Sequence, residues 1–393
     1  MLKQIPKHIL ATALVLHILV SNAAAQRTAP IIVGEQFIIY SDVLNEDRAI
    51  LVTLPPGYEF TQQKFPVIYL LDGPAHLNHT TGTKDVLARS NRMPQAIIVG
   101  LANTNRTRDF TPSPGADRRL RNSGGADNFL EFINTELIPF IDKNYRTEPY
   151  RVLIGHSLGG LFAVHAMATQ PDSFDAYIAI SPRLQWADGE AVKQMSKFLD
   201  ENPEYSGFLY VTMADEGGRM QSSFDSFIDL LKSKSPQTLQ WDSQILPDED
   251  HGSTVLRSTY HGLKTLFSDW QPTEVLASGD VEAIKKHFAA MTKKYKFQIT
   301  PAERSINQLG YRFLQSGDTY KAIEIFKFNI EMHSESANVY DSLGEAYETD
   351  GKINSALHNY EKAVKQGQKI NDPNTPIYQR NYKRVSIGRG DDA

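Results

Sequence analysis

From residue 26 to about Trp270 the chain alternates short β-branched or aromatic blocks with amphipathic stretches and turn residues. Residues 37–40 and 49–54 predict a leading antiparallel pair, and 67–71, 96–101, 151–154, 177–181, 208–213 and 239–245 predict six further strands. The middle blocks are apolar throughout rather than alternating, the pattern of parallel strands buried on both faces. Residues 127–144, with Phe129, Phe132, Ile133, Leu137, Phe140 and Ile141 at helical spacing, predict a crossover helix, as do 222–234 with Phe224, Phe227, Ile228 and Leu231. Strands alternating with helices imply an α/β fold, a mostly parallel sheet with helices on both faces.

The last third changes character. Leu309-Gly310 recurs as Leu343-Gly344, Gly317 as Gly351, Ala322 as Ala356 and Phe326 as Tyr360, each 34 residues later. Small residues let two helices approach closely while the Phe or Tyr fills the gap, the pattern of a tetratricopeptide repeat. Residues 273–370 are therefore expected to be a small all-α repeat segment that docks on the preceding domain, on a second copy or on a protein partner. The stretch 371–393, with its closing Arg389-Gly390-Asp391, is expected to be a flexible tail.

At the N-terminus, Lys3 and Lys7 precede an apolar run over residues 8–20, and Ala23, Ala24 and Ala25 offer a small-residue cleavage site. A run of thirteen residues is too short to anchor a chain across a bilayer, so 1–25 predict a secretory signal peptide, leaving no stable membrane span. The 393 residues contain no Cys, which excludes disulfide scaffolds, thiolate metal sites and cysteine nucleophiles. An exported chain without Cys suits a bacterial periplasm or the medium. The net charge of −5 argues against an electrostatic nucleic-acid binder.

The chemistry concentrates at Gly155-His156-Ser157-Leu158-Gly159-Gly160, a GxSxG sequence between a predicted strand and a predicted helix. In such a turn the Ser is held in a strained conformation with its hydroxyl clear of the sheet edge, and the helix N-terminus points N–H groups at a developing oxyanion. Ser157 is the candidate nucleophile and the Leu158 N–H the first oxyanion donor. A Ser nucleophile needs a base, and in this architecture acid and His follow it along the chain. His251, in the polar loop 246–253 after the last strand, fits better than His261 inside a helix. The acid is expected at Asp215 or Glu216, with Asp242, Asp248 and Asp250 as minor alternatives.

Taken together, Tyr69-Leu70-Leu71-Asp72-Gly73, the segment 106–112 (Arg-Thr-Arg-Asp-Phe-Thr-Pro), the GxSxG elbow, Ser181-Pro182 and the loop His251 resemble the Putative esterase family of α/β-hydrolases, and within it the enterochelin (siderophore) esterase branch. The resemblance covers about residues 30–270. It implies an α/β-hydrolase domain over 26–272, hydrolysis of carboxylic esters with those of catecholate siderophores as the candidate substrates, and Glu216 ahead of Asp215 as the acid. Relatives commonly take a second oxyanion donor from the residue after Asp-Gly, but that residue here is Pro74, which has no N–H. Ala75 or Gly73 is then expected to substitute.

Arg89, Arg92, Arg106, Arg108, Arg118, Arg119 and Arg121 form a basic stretch in an acidic protein. Arg106 and Arg108 are candidate contacts for an anionic substrate, and Trp186 a candidate aromatic wall. No metal-ligand spacing or phosphate-binding glycine loop occurs, so no cofactor is implied. Two alternatives stand beside a siderophore esterase: a general carboxylesterase, and an inactive hydrolase domain serving as a scaffold through its repeats.

Overall fold

A computed structural model describes residues 32–115 and 122–387. The expected signal peptide, Arg118, Arg119, Arg121 and the closing Arg389-Gly390-Asp391 lie outside the described residues. All eight expected strands form: β1 (Glu35–Ser41), β2 (Glu46–Thr53), β3 (Phe65–Leu70), β4 (Ile97–Leu101), β5 (Thr147–His156), β6 (Ala176–Ile180), β7 (Gly207–Ala214) and β8 (Leu239–Leu246). They make one sheet in the order β1-β2-β4-β3-β5-β6-β7-β8. The pairs β1/β2 and β2/β4 are antiparallel and the rest are parallel.

Because successive side chains on a strand point to opposite faces, the continuous apolar blocks divide into two cores. Val67, Tyr69, Val99, Leu153, Tyr177 and Leu209 face one side. There they meet α3 (Ala126–Phe132), α4 (Ile138–Asn144), α5 (Leu158–Thr169), α6 (Glu190–Glu201) and α7 (Gly218–Lys234). Ile68, Ile98, Val152, Ile178 and Tyr210 face the other, against α1 (Gly73–Arg89) and α8 (Thr254–Leu266). The expected helix over 127–144 is broken by a wider turn at Ile133–Leu137, one turn ahead of Pro139. Proline has no N–H to give and crowds the carbonyl four residues back, which widens the helix there.

Between β4 and α3 lies the short helix α2 (Arg106–Phe110). The C-terminal third is helical: α9 (Thr273–Ser278), α10 (Val281–Tyr295), α11 (Glu303–Gln315), α12 (Thr319–Met332), α13 (Ala337–Thr349), α14 (Ile353–Ile370) and α15 (Thr375–Ile387). It does not stand apart from the sheet. Ile284, Phe288, Met291, Ile306, Leu309, Ile325 and Phe328 belong to the same core as Ile68 and Val152. The described residues from Gly34 onward accordingly form one compact unit. A Cβ at Gly310 would lie 2.4 Å from the Phe326 ring and one at Gly344 would lie 2.8 Å from the Tyr360 ring, the same close approach at the 34-residue offset. Where a flexible tail is expected, α15 packs Tyr378 against Ala337 and Ala363, and Val385 against Ala356 and Tyr360. The apolar side left by α13 and α14 is what orders it.

Candidate active site

Ser157 links β5 to α5 with φ 61° and ψ −115°, a conformation that costs a residue with a Cβ of order 1–3 kcal/mol. The turn is tight enough that a Cβ at Gly155 would stand 2.2 Å from the Gly159 carbonyl oxygen, so the first glycine of GxSxG is a packing requirement. The loop between β8 and α8 that carries His251 is shaped by Asp250, whose Oδ1 accepts from the Gly252 and Ser253 N–H groups at 2.8 Å each. Glu216 leaves the end of β7 just before Gly217 at φ 59° and ψ −168°, a region open essentially to glycine alone. The Asp215 N–H donates to the Glu249 carbonyl at 3.1 Å, tying the two loops together.

These loops bring three side chains into line. His251 Nε2 lies 2.9 Å from Ser157 Oγ, and His251 Nδ1 lies 2.9 Å from Glu216 Oε2. Burial pushes the Glu216 carboxyl up, but the His251 and Ser181 hydrogen bonds and the His251 charge outweigh it, so the net shift is downward. An ionised Glu216 accepts the Nδ1–H and leaves Nε2 free to take the serine proton, the arrangement that makes a hydroxyl a nucleophile. Asp215 is exposed and makes no side-chain contact with His251. Asp248 pairs with Arg257 at 2.6 Å, Asp250 is occupied by its own turn, and Asp242 accepts from the Ser243 N–H. His261 lies within α8, away from this line.

The neighbouring histidines are a feature that spacing along the chain could not reveal. His156 Nε2 lies 2.7 Å from the His251 carbonyl oxygen, with the two rings 4.6 Å apart. Behind it stand His76 and then His79, with successive ring separations of 5.8 and 5.3 Å. Burial pulls His156 down to about 4, so it is neutral at physiological pH and donates its Nε2–H to the backbone of the loop that carries His251.

Four expectations require correction. Arg106 is not a free cation: its Nε and Nη2 clamp Asp72 at 2.7 and 3.0 Å, and Nη2 also donates to the His156 carbonyl at 3.0 Å. Arg108 donates to Glu46 at 2.5 and 3.0 Å and to Asp109 at 2.7 Å. Glu46 and Asp109 also hold Arg48, which is 1 % exposed, at 2.8 Å each. Both candidate substrate contacts are thus spent on carboxylates: Asp72 and Glu46 come from distant parts of the chain, and Asp109 is the next residue after Arg108. Trp186 is half-buried against the core of α5 and α6, with its indole N–H on the Ser113 carbonyl at 3.1 Å, so it serves packing. Ala75 cannot offer an oxyanion donor, because α1 begins at Gly73 and the Ala75 N–H already donates to the Asp72 carbonyl at 2.9 Å. Leu158 opens α5 and Gly73 opens α1, positions whose N–H groups have no acceptor within their helices.

Among the described residues no group of three or more His, Asp or Glu has the arrangement of a metal site. No helix among them is long and apolar enough to cross a membrane.

The sequence profile described as Putative esterase matches residues 41–270. The chain is 35 % identical over 158 residues to the ferri-bacillibactin esterase of Bacillus subtilis, a match covering 34 % of this chain and 53 % of that protein. It is also 35 % identical over 166 residues to the siderophore triacetylfusarinine C esterase of Aspergillus fumigatus, covering 39 % and 56 %. The chain thus spans little more than half the length of these relatives. An IroE-like serine hydrolase from Shewanella oneidensis superimposes with a TM-score of 0.66 at 25 % identity, covering 76 % of this chain and 99 % of its own. The profile match alone takes in 230 of the 393 residues, and this chain belongs to the Putative esterase family.

Proposed function

We propose that the protein is a serine esterase that cleaves carboxylic esters through an acyl-enzyme on Ser157, and that its substrates are esters of the siderophore type. The observation that carries the reading is the hydrogen-bonded line from Ser157 through His251 to Glu216, at 2.9 Å for each step, on a strained strand-to-helix turn. As Ser157 Oγ attacks the ester carbonyl, its proton passes to His251 Nε2, and Glu216 stabilises the imidazolium through Nδ1–H. The tetrahedral oxyanion is held by the N–H groups of Leu158 and Gly73, each such donor being worth about 100- to 1000-fold in turnover. Collapse breaks the ester C–O bond, and the departing alcohol takes the proton from His251. Water, deprotonated by the same imidazole, then releases the acid and restores Ser157.

The siderophore assignment draws on the siderophore esterases among the relatives, and export to the periplasm or medium after removal of residues 1–25 draws on the N-terminal sequence pattern. The helical third is read as two tetratricopeptide-like units, α11 with α12 and α13 with α14, closed by α15. A fluorophosphonate probe tests the core of the proposal: it should label the wild type and not Ser157→Ala, and the variant should lose ester hydrolysis while keeping its melting temperature. Persistence of turnover in Ser157→Ala would sink the assignment. Cleavage of a tri-catecholate ester, measured beside a short neutral acyl ester, tests the substrate class.

A further inference from the structure

Arg106 and Arg108 are both bound to carboxylates, so a negative charge on a substrate needs another partner. Arg183 is positioned to be one. It follows Ser181-Pro182 at the C-terminal end of β6, and its own N–H donates to the carbonyl of Ser157 at 3.1 Å, which fixes its backbone directly beside the candidate nucleophile. The same turn is tied to the end of β7, two residues before Glu216, where the Ala214 N–H donates to the Ser181 hydroxyl at 3.3 Å. Ser181 has a φ of 39° and Leu184 is fully buried, so the turn is set by its neighbours and cannot slide. The Arg183 side chain is exposed, and no carboxylate among the described residues pairs with it.

Two residues further along this loop, at Gln185, begins a cleft of about 400 Å³. Its lining includes Lys193, Arg219 and Asp188. The lone carboxylate of that lining, Asp188, sits 3.5 Å from Arg219, with both side chains largely in water. Arg219 stands in the first turn of α7, three residues after Glu216, so the cleft lies between the loop after β6 and the start of α7. Arg183 is thus tied by its backbone to Ser157, and the same loop carries on into a cleft lined by Lys193 and Arg219.

We propose that Arg183 is the cation that reads substrate charge at this site, so that preferred esters carry an anionic oxygen group, a carboxylate or a metal-bound catecholate, in the half lying over the Ser181–Gly189 loop. The inference rests on the esterase reading above and adds the residue that selects among esters. A guanidinium presents a fork of N–H donors matched to paired anionic oxygens, and such charge-assisted bonds are the strong ones.

The test compares Arg183→Gln and Arg183→Ala with wild type on two matched pairs of esters. One pair puts the charge on the alcohol half: 4-nitrophenyl butyrate and 3-carboxy-4-nitrophenyl butyrate. The other puts it on the acyl half: 4-nitrophenyl pentanoate and 4-nitrophenyl glutarate. The readout is the ratio of kcat/KM for the charged ester to that for its neutral mate, in which differences of intrinsic reactivity and of folded fraction cancel between enzyme forms. In at least one pair the ratio should fall roughly tenfold in both variants, the size expected for one partly desolvated charged hydrogen bond. The wild-type ratio should also shrink as salt rises from about 0.05 to about 0.5 M, and the variants' ratios should not. Ratios within twofold of wild type in both pairs would overturn the role of Arg183 and leave the esterase reading standing. If wild type turns over none of the four esters and escapes fluorophosphonate labelling, the esterase reading itself falls, and this inference with it.

Discussion

Glu216 and Asp215 are adjacent carboxylates with opposite surroundings: one is half-buried on His251 Nδ1, the other stands in water. Glu216→Gln keeps the shape but offers an amide that can hold the wrong imidazole tautomer, so kcat should fall by about 10³- to 10⁴-fold. Asp215→Asn should change it by less than about threefold, since an exposed charge is screened. Steady-state kinetics on one chromogenic ester compares the two directly, and equal small effects would mean that Ser157 works with His251 alone. The second residue-scale expectation concerns Asp109, 1 % exposed in its side chain and bound to the equally buried Arg48. Asp109→Ala leaves that guanidinium in the core with only the partly exposed Glu46 to answer it. Breaking such a pair costs roughly 3–5 kcal/mol, which urea unfolding would register as a lower midpoint.

Among the elements, α11 to α15 depend on close approach and on one buried carboxylate. Gly310→Ala would drive a methyl group into the Phe326 ring, and overpacking of this kind typically costs about 1–3 kcal/mol. The smaller ring-free side chain of Phe326→Leu should recover part of that loss in the double variant, a coupling that a thermodynamic cycle measures. Asp341, on α13, is 8 % exposed and accepts from Asn381 of α15 at 3.0 and 3.2 Å. Burial pushes it up to about 6, more than the Asn381 hydrogen bond pulls it down. The folded form therefore binds its proton more tightly than the unfolded chain does, and stability contributed here falls as pH rises from about 4 to about 6. Asp341→Asn removes that penalty. Its melting temperature relative to wild type should rise by a few degrees between pH 4 and pH 7, and an unchanged difference would contradict the assignment.

At the scale of the whole molecule, the second face of the sheet is covered jointly by α1, α8 and the C-terminal helices. Tyr295 at the end of α10 joins the two parts. Its ring stacks on Phe267 at 5.3 Å and meets Tyr150 at 5.2 Å, while its hydroxyl donates to the Leu266 carbonyl at 3.0 Å. Tyr295→Ala should destabilise the entire unit by about 3–5 kcal/mol. Loss of esterase activity and loss of helical circular dichroism should then shift together on heating. If the helical signal melts early and activity survives, the helical third folds independently.

The strand positions and their alternation with helices were legible because each is a local or evenly spaced pattern, and the proposed order Ser, acid, His and the 34-residue spacing were read from the chain in the same way. Periodicity and glycine requirements are properties of neighbouring residues. The helix α1 was not legible, since its inward face carries Thr80, Thr83 and Lys84 between Leu77 and Leu87, and hydrophobic spacing misses a face that polar side chains share. Nor was the fate of the arginines. Asp72 meets Arg106 across 34 residues, and Arg48 meets Asp109 across 61, so whether a guanidinium is free for a ligand or held by a carboxylate depends on which strands become neighbours. The same holds for Ala75, whose N–H is lost to the first turn of α1, and for Arg183, brought beside Ser157 by the pairing of β5 with β6. The sequence by itself determined the fold class and which residue types could carry the chemistry. Tertiary structure alone decided which charges are spent in ion pairs and which remain for a substrate, because a charge in water and a charge in an ion pair are written with the same letter.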